Sequence, residues 1–421
     1  MRKIALIGGG QAGLMLGFKL LNAGYPVTIY TDRTPEQVLN CRIPSTAFLF
    51  DSTLNMEREL GLNFWEDLAP FGEGIHVDFR TPDGNSVMTV QGSLGTKKGQ
   101  ALDQRTKFCR WLQEYEKRGG KLIVQAVSVS DLETIAKEND LTLVAAGKGP
   151  INALFQRDDS RSVHEKAPRN LAAFVAVGKK LTGDRPWKRA PFRPLRFNFI
   201  FGVGEFFSLP FYTHSRGESR SFLFEAVPGG PMDIFQDARS GEELIKLAKE
   251  VVAKYAPDDL HHMDQIELAD ADAWLKGSFV PTVRKPIGIL PSGAKVMALG
   301  DTAVVNDPIA GQGANNAARM VSYVFDRIVA QGDKPFDQDW MSDVFETFWN
   351  ESAKYTTNFT NALLQPPGEP IMAVLQAATT NKAIADDFMQ CFDNPRTYWP
   401  WIEDLDAARQ FVAERTPRAV A

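Results

Sequence analysis

Cysteine is nearly absent from this chain: three in 421 residues, at Cys41, Cys109 and Cys391, an odd and scattered set. That excludes a disulfide framework and zinc-ligand spacing and fits a reducing compartment, with each thiol expected to pack as a small apolar side chain. Long apolar runs are missing too, since no stretch reaches the roughly 20 residues that cross a bilayer. The opening run Ile4-Ala5-Leu6-Ile7 follows Arg2 and Lys3 in the manner of a secretion signal but breaks at Gly8 before an apolar core is complete. The cytoplasm is therefore the expected location. Excess charge of one sign is lacking: 47 Lys and Arg against 52 Asp and Glu leave a formal −5, which gives no electrostatic reason to expect nucleic acid. The stretch from Arg185 to Arg196 is a basic exception, and its interleaved prolines predict a solvated connecting loop. The five histidines form no ligand or triad pattern, no metal site is expected, and no nucleophile elbow occurs. What remains is an ordinary globular composition, 44% hydrophobic and 24% charged, long enough for two cores.

Glycine is where the chain becomes specific. Gly8-Gly9-Gly10-Gln11-Ala12-Gly13 stands directly behind the strand-like run Ile4 to Ile7 and opens a helix through Leu14, Met15, Phe18, Leu20 and Leu21 that stops at Gly24. This is the strand–turn–helix of a dinucleotide site: Gly8 for the tight turn, Gly10 for close backbone approach to a pyrophosphate, Gly13 for helix–strand packing. The helix N-terminus presents unpaired N–H groups and a positive dipole to the phosphates. A second strand, Val27 to Tyr30, follows. The acid that usually takes the ribose hydroxyls has Asp32 as its nearest candidate, between Thr31 and Arg33; turned to solvent, it would leave the ribose to backbone or hydroxyl groups.

Farther on, a helix around Arg105 to Arg118 and a strand Lys121 to Val124 lead to Leu141-Thr-Leu-Val-Ala-Ala-Gly147, an apolar strand whose end suits a return toward the nucleotide and equally suits a plain buried strand. From about 166 to 275 the texture becomes alternating and aromatic, in the runs beginning at Leu171, Phe197, Glu205 and Ser221, which predicts a mostly antiparallel sheet forming an apolar wall for a small hydrophobic substrate. The strand Lys295 to Leu299 ends in Gly300-Asp301, and the turn Asn306-Asp-Pro-Ile-Ala-Gly-Gln-Gly313 feeds a helix with apolar residues at Ala317, Met320, Val321, Val324, Phe325 and Ile328. Asp301 can accept from ribityl or ribose hydroxyls, and the helix start near Gly313 to Asn315 can stabilise negative charge on a flavin's pyrimidine edge. The two motifs together argue for FAD over NAD. The expected class is α/β: a discontinuous Rossmann-like FAD-binding domain of the aromatic hydroxylase type (1–165 and 276–335), an inserted sheet domain (166–275) and a C-terminal helical cover (336–421).

With Ala146-Gly147-Lys148-Gly149, Gly300-Asp301 and Asn306-Asp-Pro-Ile-Ala-Gly-Gln-Gly-Ala-Asn-Asn316 added to the opening fingerprint, the whole chain resembles the oxygenase component of two-component styrene and indole monooxygenases. The segments Val227 to Asp233 and Val280 to Pro286 look more like the indole branch. The resemblance implies FAD reduced by a separate NADH-dependent flavin reductase, reaction with O2 to a C4a-hydroperoxyflavin, and oxygen transfer to a vinyl or pyrrole double bond. Styrene would give its oxide, and indole an epoxide that opens to indoxyl and proceeds to indigo. A homodimer is the family expectation. By motif position, Pro308, Ile309, Ala310 and Gly311 are expected beside the isoalloxazine ring, with Gln312, Gly313, Ala314 and Asn315 at its pyrimidine edge. Arg42 and Ser45 are expected near flavin and substrate, and Gln104 and Arg105 at further cofactor contacts, although Arg105 could instead simply pair with a surface acid. The pocket segment reads Ser45-Thr46-Ala47-Phe48-Leu49-Phe50: Ser45 suits the indole branch, whereas Ala47 and Leu49 depart from it, and with Ile309 these residues make up the expected substrate pocket. Two other classes compete. A single-component hydroxylase would carry Asp-Gly before a mid-chain strand, where this chain has Asn139-Asp140-Leu141; a flavoprotein reductase or isomerase would consume no oxygen.

Overall fold

The computed structural model describes residues 2–147, 149–181 and 190–416. Lys148 and the basic residues Arg185 to Arg189 lie outside them. The opening apolar run becomes the strand Ile4–Ile7, buried along its whole length, as a strand covered on both faces must be. It sits inside a six-stranded sheet ordered Ile287–Ile289, Lys295–Ala298, Leu141–Val144, Ile4–Ile7, Val27–Thr31, Lys121–Val124. All pairs are parallel except the hairpin at the Ile287–Ile289 edge. The helix Gln11–Asn22 ends as its sequence suggests: Gly24, at φ 83°, closes a Schellman motif in which Gly24 N–H donates to Leu21 O and Tyr25 N–H to Leu20 O, both at 3.0 Å. With the helices Gln104–Lys117 and Gly313–Gln331, it covers this Rossmann-like sheet.

The second sheet corrects one boundary. Its strands run Glu267–Leu268, Asn170–Val177, Gly217–Ala226, Gly204–Thr213, Pro194–Ile200, Gly74–Arg80, Ser86–Ser93, with Trp274–Gly277 also paired to Asn170–Val177. Two of these strands come from residues 74–93, so the sheet is not contained in 166–275. It is mostly antiparallel, but Pro194–Ile200 and Gly74–Arg80 pair in parallel. In Gly74–Arg80 the alternation is strict: Ile75, Val77 and Phe79 face an apolar core, while His76, Asp78 and Arg80 are buried on the other face. Asp78 takes Arg80 at 3.0 Å and also Arg196, whose Nε lies 2.9 Å from Asp259. Burial alone would raise the Asp78 carboxyl, but the Arg196 charge and the Thr89 hydroxyl outweigh it and hold it at about 2. Arg196 is thus a buried strand residue with two carboxylate partners, and the solvated-loop expectation fails for that end of the basic stretch. The prolines misled because Pro194 begins the strand instead of interrupting it.

The helix Gly241–Tyr255 backs this sheet on the charged side. Of the C-terminal helices, Gln338–Phe348 packs on the Rossmann-like core through Trp340, Val344, Phe345 and Phe348. Those at Lys354–Leu363, Glu369–Ala378, Lys382–Gln390 and Leu405–Arg415 cover the apolar face of the second sheet. Among the described residues no helix is long and apolar enough to cross a membrane, and no His, Cys, Asp and Glu group could hold a metal ion.

Candidate functional site

Three loops converge at the C-terminal ends of adjacent parallel strands, where α/β folds place ligands. The glycines divide by what surrounds them. A Cβ on Gly8, at φ 127°, would stand 2.4 Å from Ala145 O; on Gly13, 2.0 Å from Gly8 O; on Gly9, 2.9 Å from Thr31 Oγ1. The protein's own packing demands glycine there. A Cβ on Gly10 would meet nothing within 4 Å, and the same holds for Gly147, Gly311 and Gly313. These four positions border open space.

The loops are tied together. Gly147 N–H donates to Thr302 Oγ1 at 3.3 Å, and Asn152 Nδ2 to Gly147 O at 2.7 Å. Gly300, at φ 59°, sits where a Cβ would meet that of Ala12 at 2.9 Å, so the opening turn and the Gly300-Asp301 turn are in contact. Asp301 is exposed at the mouth, its carbonyl accepting from Arg284 at 3.3 Å. Asp32 is also exposed, 3.7 Å from Arg33, and the buried residue at that strand end is Thr31, whose hydroxyl donates to Arg33 O.

In the third turn, Asp307 accepts from Ile309 N–H at 3.1 Å, and Gly311 adopts φ 63°. Pro308, Gly311, Gly313 and Ala314 are half-buried and form its open side; Ile309, Ala310, Gln312 and Asn315 are buried. Asn315 spends its whole amide on the protein. It accepts from Phe50 N–H at 3.0 Å and Thr53 Oγ1 at 2.8 Å, and donates to Phe48 O at 2.9 Å and Gly311 O at 2.8 Å. Gln312 donates to Phe392 O at 2.7 Å and accepts from Arg319 at 2.9 Å. Their side chains therefore fasten the pocket segment and the C-terminal cover to this turn, and what the helix start offers outward is backbone N–H. Ile309 is buried in the apolar cluster that also holds Phe48, Phe50, Phe359 and Phe392, and it is not among the residues lining the crevice beside Ala47 and Leu49.

Ala47 and Leu49 line a crevice with Gln11 and Gln104, over a buried ion pair of Glu57 and Lys107. Gln11 Nε2 donates to Glu57 at 3.2 Å, linking crevice and fingerprint turn. Burial lowers the Lys107 ammonium from its usual range, against the pull of Glu57. Sequence reasoning missed this pair; its signal was a Lys and a Glu each on the apolar face of its helix. Ser45 is half-buried. Arg42 stacks on Trp274 at 4.3 Å. Arg105 is buried against Asp103 and Asp270, both at 2.7 Å, and donates to Cys41 O, so the acid-pairing alternative describes its side chain. Burial would lower the Arg105 guanidinium, but the hydrogen bonds to Asp103 and Asp270 raise it further.

Residues 147–261 match the family model described as "Styrene monooxygenase A putative substrate binding domain". The styrene monooxygenase StyA of Pseudomonas fluorescens is 27% identical over 433 residues, covering all of both chains, and the one from a Pseudomonas species is equally similar over 430. The chain is similar to styrene monooxygenases along its whole length. A flavoprotein/dehydrogenase from Cytophaga hutchinsonii superposes with TM-score 0.64 at 11% identity, covering 98% of each chain. The flavin-dependent halogenase CmlS does so at 0.61 and 17%, covering 99% of this chain and 73% of its own. Those two likenesses establish the fold. The open space at Gly10, Gly147, Gly311 and Gly313 fits a flavin nucleotide, because each backbone can be approached where a side chain would otherwise stand.

Proposed function

We propose that this chain is the oxygenase of a two-component system, taking FAD already reduced by a separate NADH-dependent reductase and using O2 to epoxidise an aromatic alkene or indole. The observation that carries the reading is that neighbouring glycine turns leave open space at Gly10, Gly147, Gly311 and Gly313, in a chain similar along its whole length to styrene monooxygenases. Gly10 and the start of the Gln11–Asn22 helix would hold the pyrophosphate, Asp301 and Thr31 the sugar hydroxyls, and the N–H groups of Gly313 and Ala314 the pyrimidine edge. Pro308 and Gly311 would flank the ring. When bound, the reduced flavin supplies activation of O2 and delivery of one oxygen atom to a carbon–carbon double bond. The protein's share is positioning and exclusion of water: the apolar residues Ala47 and Leu49 close one side, and the C-terminal helices seal the other through Gln312 and Phe392. Nothing in this arrangement needs a nucleophile or an acid–base pair touching substrate.

The test is product analysis with purified protein, FAD, NADH and an unrelated flavin reductase, with styrene and indole in separate vessels. Styrene oxide or indigo formed only when the reductase is present establishes the proposal and ranks the substrates. Product formed from NAD(P)H without reductase would instead establish a single-component hydroxylase, and reduced FAD oxidised with no oxygen inserted would overturn the oxygenase chemistry.

A further inference from the structure

Beneath the Pro308 turn lies a cluster the proposed chemistry does not use. Three carboxyl groups meet there around one guanidinium. Glu205 and Glu225 stand directly opposite each other on neighbouring strands, an arrangement that is repulsive when both are charged. Asp307 joins them from the turn, and all three are buried, Glu225 completely. Arg169 grips Glu205 with both arms of its fork, at 2.7 and 2.9 Å, and its remaining bonds go to Pro168 O and Leu364 O. Asp307 uses one oxygen on Ile309 N–H. Among the described residues neither oxygen of Glu225 meets an N–H or O–H donor; the group that faces it at hydrogen-bonding range is the carboxyl of Asp307. Two carboxyl groups can bond to each other only through a proton, since each carboxylate oxygen is an acceptor alone.

We infer that Glu225 is protonated at neutral pH and donates to Asp307, and that this shared proton is the positioning device for the Asn306 to Gly311 turn. The inference rests on the reading that places this turn against the flavin. Burial first, then the Asp307 charge, hold the Glu225 carboxyl well above the usual carboxylate range; burial also raises Asp307, though less, because Glu225 and Ile309 N–H stabilise its charge. The other charged groups facing the pair are Glu205, which adds repulsion, and Arg169 and His164, which relieve it; the His164 ring is held 3.1 Å from Asn361. A raised pKa means the folded state binds more protons, so the stabilisation is complete below the unfolded carboxylate pKa and is lost as pH rises through the folded one. On ionisation, two adjacent charges would push the turn away from the strand carrying Glu225.

Glu225 touches neither substrate nor flavin, so it is a positioning residue, and its mark is a pH profile. Wild type and Glu225→Gln are compared, full length, by fluorescence titration with FAD and by Tm, from about pH 6 to about pH 9. The Gln amide donates to Asp307 as the acid does but cannot ionise. Wild type should lose affinity for FAD at least about threefold across that range, with a falling Tm, while Glu225→Gln stays flat in both. The wild-type infrared spectrum at neutral pH should carry the carbonyl band of a protonated carboxyl that fades over the same interval; this readout stands even if the variant does not fold. Parallel pH profiles in both proteins, or no such band, overturn the inference. A wild type that binds no FAD at any pH counts against the flavin reading instead, and the band and Tm profile then decide the proton assignment alone.

Discussion

Gly10 and Gly13 are three residues apart in one motif, and the structure predicts opposite failures for them. At Gly13 an added methyl group would sit 2.0 Å from the Gly8 carbonyl oxygen, a backbone atom that cannot step aside without moving the turn. Overpacking of this kind costs on the order of 2–3 kcal/mol or more. Gly13→Ala should therefore lower the Tm of the flavin-free protein by several degrees and weaken flavin binding only as a consequence. At Gly10 the backbone is already extended, φ −96° and ψ −167°, which any L-residue adopts, and the methyl group meets no protein atom within 4 Å. Replacing glycine at an unstrained site removes freedom from the unfolded chain and stabilises by up to roughly 0.4–1 kcal/mol. Gly10→Ala should keep or slightly raise the Tm, yet its methyl group occupies the approach of the pyrophosphate, and a loss of about 1.4 kcal/mol there is tenfold in affinity. Thermal melts of both variants without ligand, followed by FAD titration, separate the two effects. A Gly10→Ala protein that binds FAD as tightly as wild type would refute the placement of the phosphates at this turn.

Asn315→Ala removes an amide that satisfies four partners, three of them buried, and should cost on the order of 3 kcal/mol in chemical denaturation; a cost below about 1 kcal/mol would mean that water replaces it. Asp301→Ala touches an exposed carboxylate, so Tm should hold while FAD affinity falls about three- to tenfold; unchanged affinity removes Asp301 from the cofactor site. Asp78, held at about 2, is the depressed-carboxylate case: its contribution, on the order of 2 kcal/mol, is present above the unfolded carboxylate pKa and is lost as pH falls from about 4 through about 2. Asp78→Asn should flatten that part of the acid-unfolding curve and destabilise at neutral pH, because Arg196 and Arg80 lose a buried partner.

The Rossmann-like half of the fold was legible because its signals are local. Apolar runs covered on both faces, a Gly-rich turn, and Gly24 closing a helix each act within a few residues of chain. The second sheet was legible only in part. Its aromatic strands were recognised between 166 and 275, but Gly74–Arg80 was missed, although its Ile75, Val77 and Phe79 alternate cleanly with His76, Asp78 and Arg80. Intervening charges have the same local pattern as a solvated face, and nothing local says that Arg196, more than a hundred residues on, will neutralise Asp78 inside a parallel strand pair. Burial of charge depends on a partner, and partners come from topology.

The site shows the same division at finer scale. The motif around Gln312 and Asn315 was legible as a turn that feeds a helix, while the direction of its side chains was hidden, because a polar residue beside a ligand and one clamping two loops have the same local pattern. Here the clamping role accounts for every donor and acceptor of the Asn315 amide, which leaves the open side of the turn to Pro308, Gly311, Gly313 and Ala314, residues with little or no polar side chain. Under the proposed function, a surface made of backbone and a proline ring would hold a planar, electron-rich group without offering an acid beside it, which is consistent with clamps that face inward. Under the same proposal, discrimination between styrene and indole would fall to shape in the neighbouring segment, where Ala47 and Leu49 border the crevice.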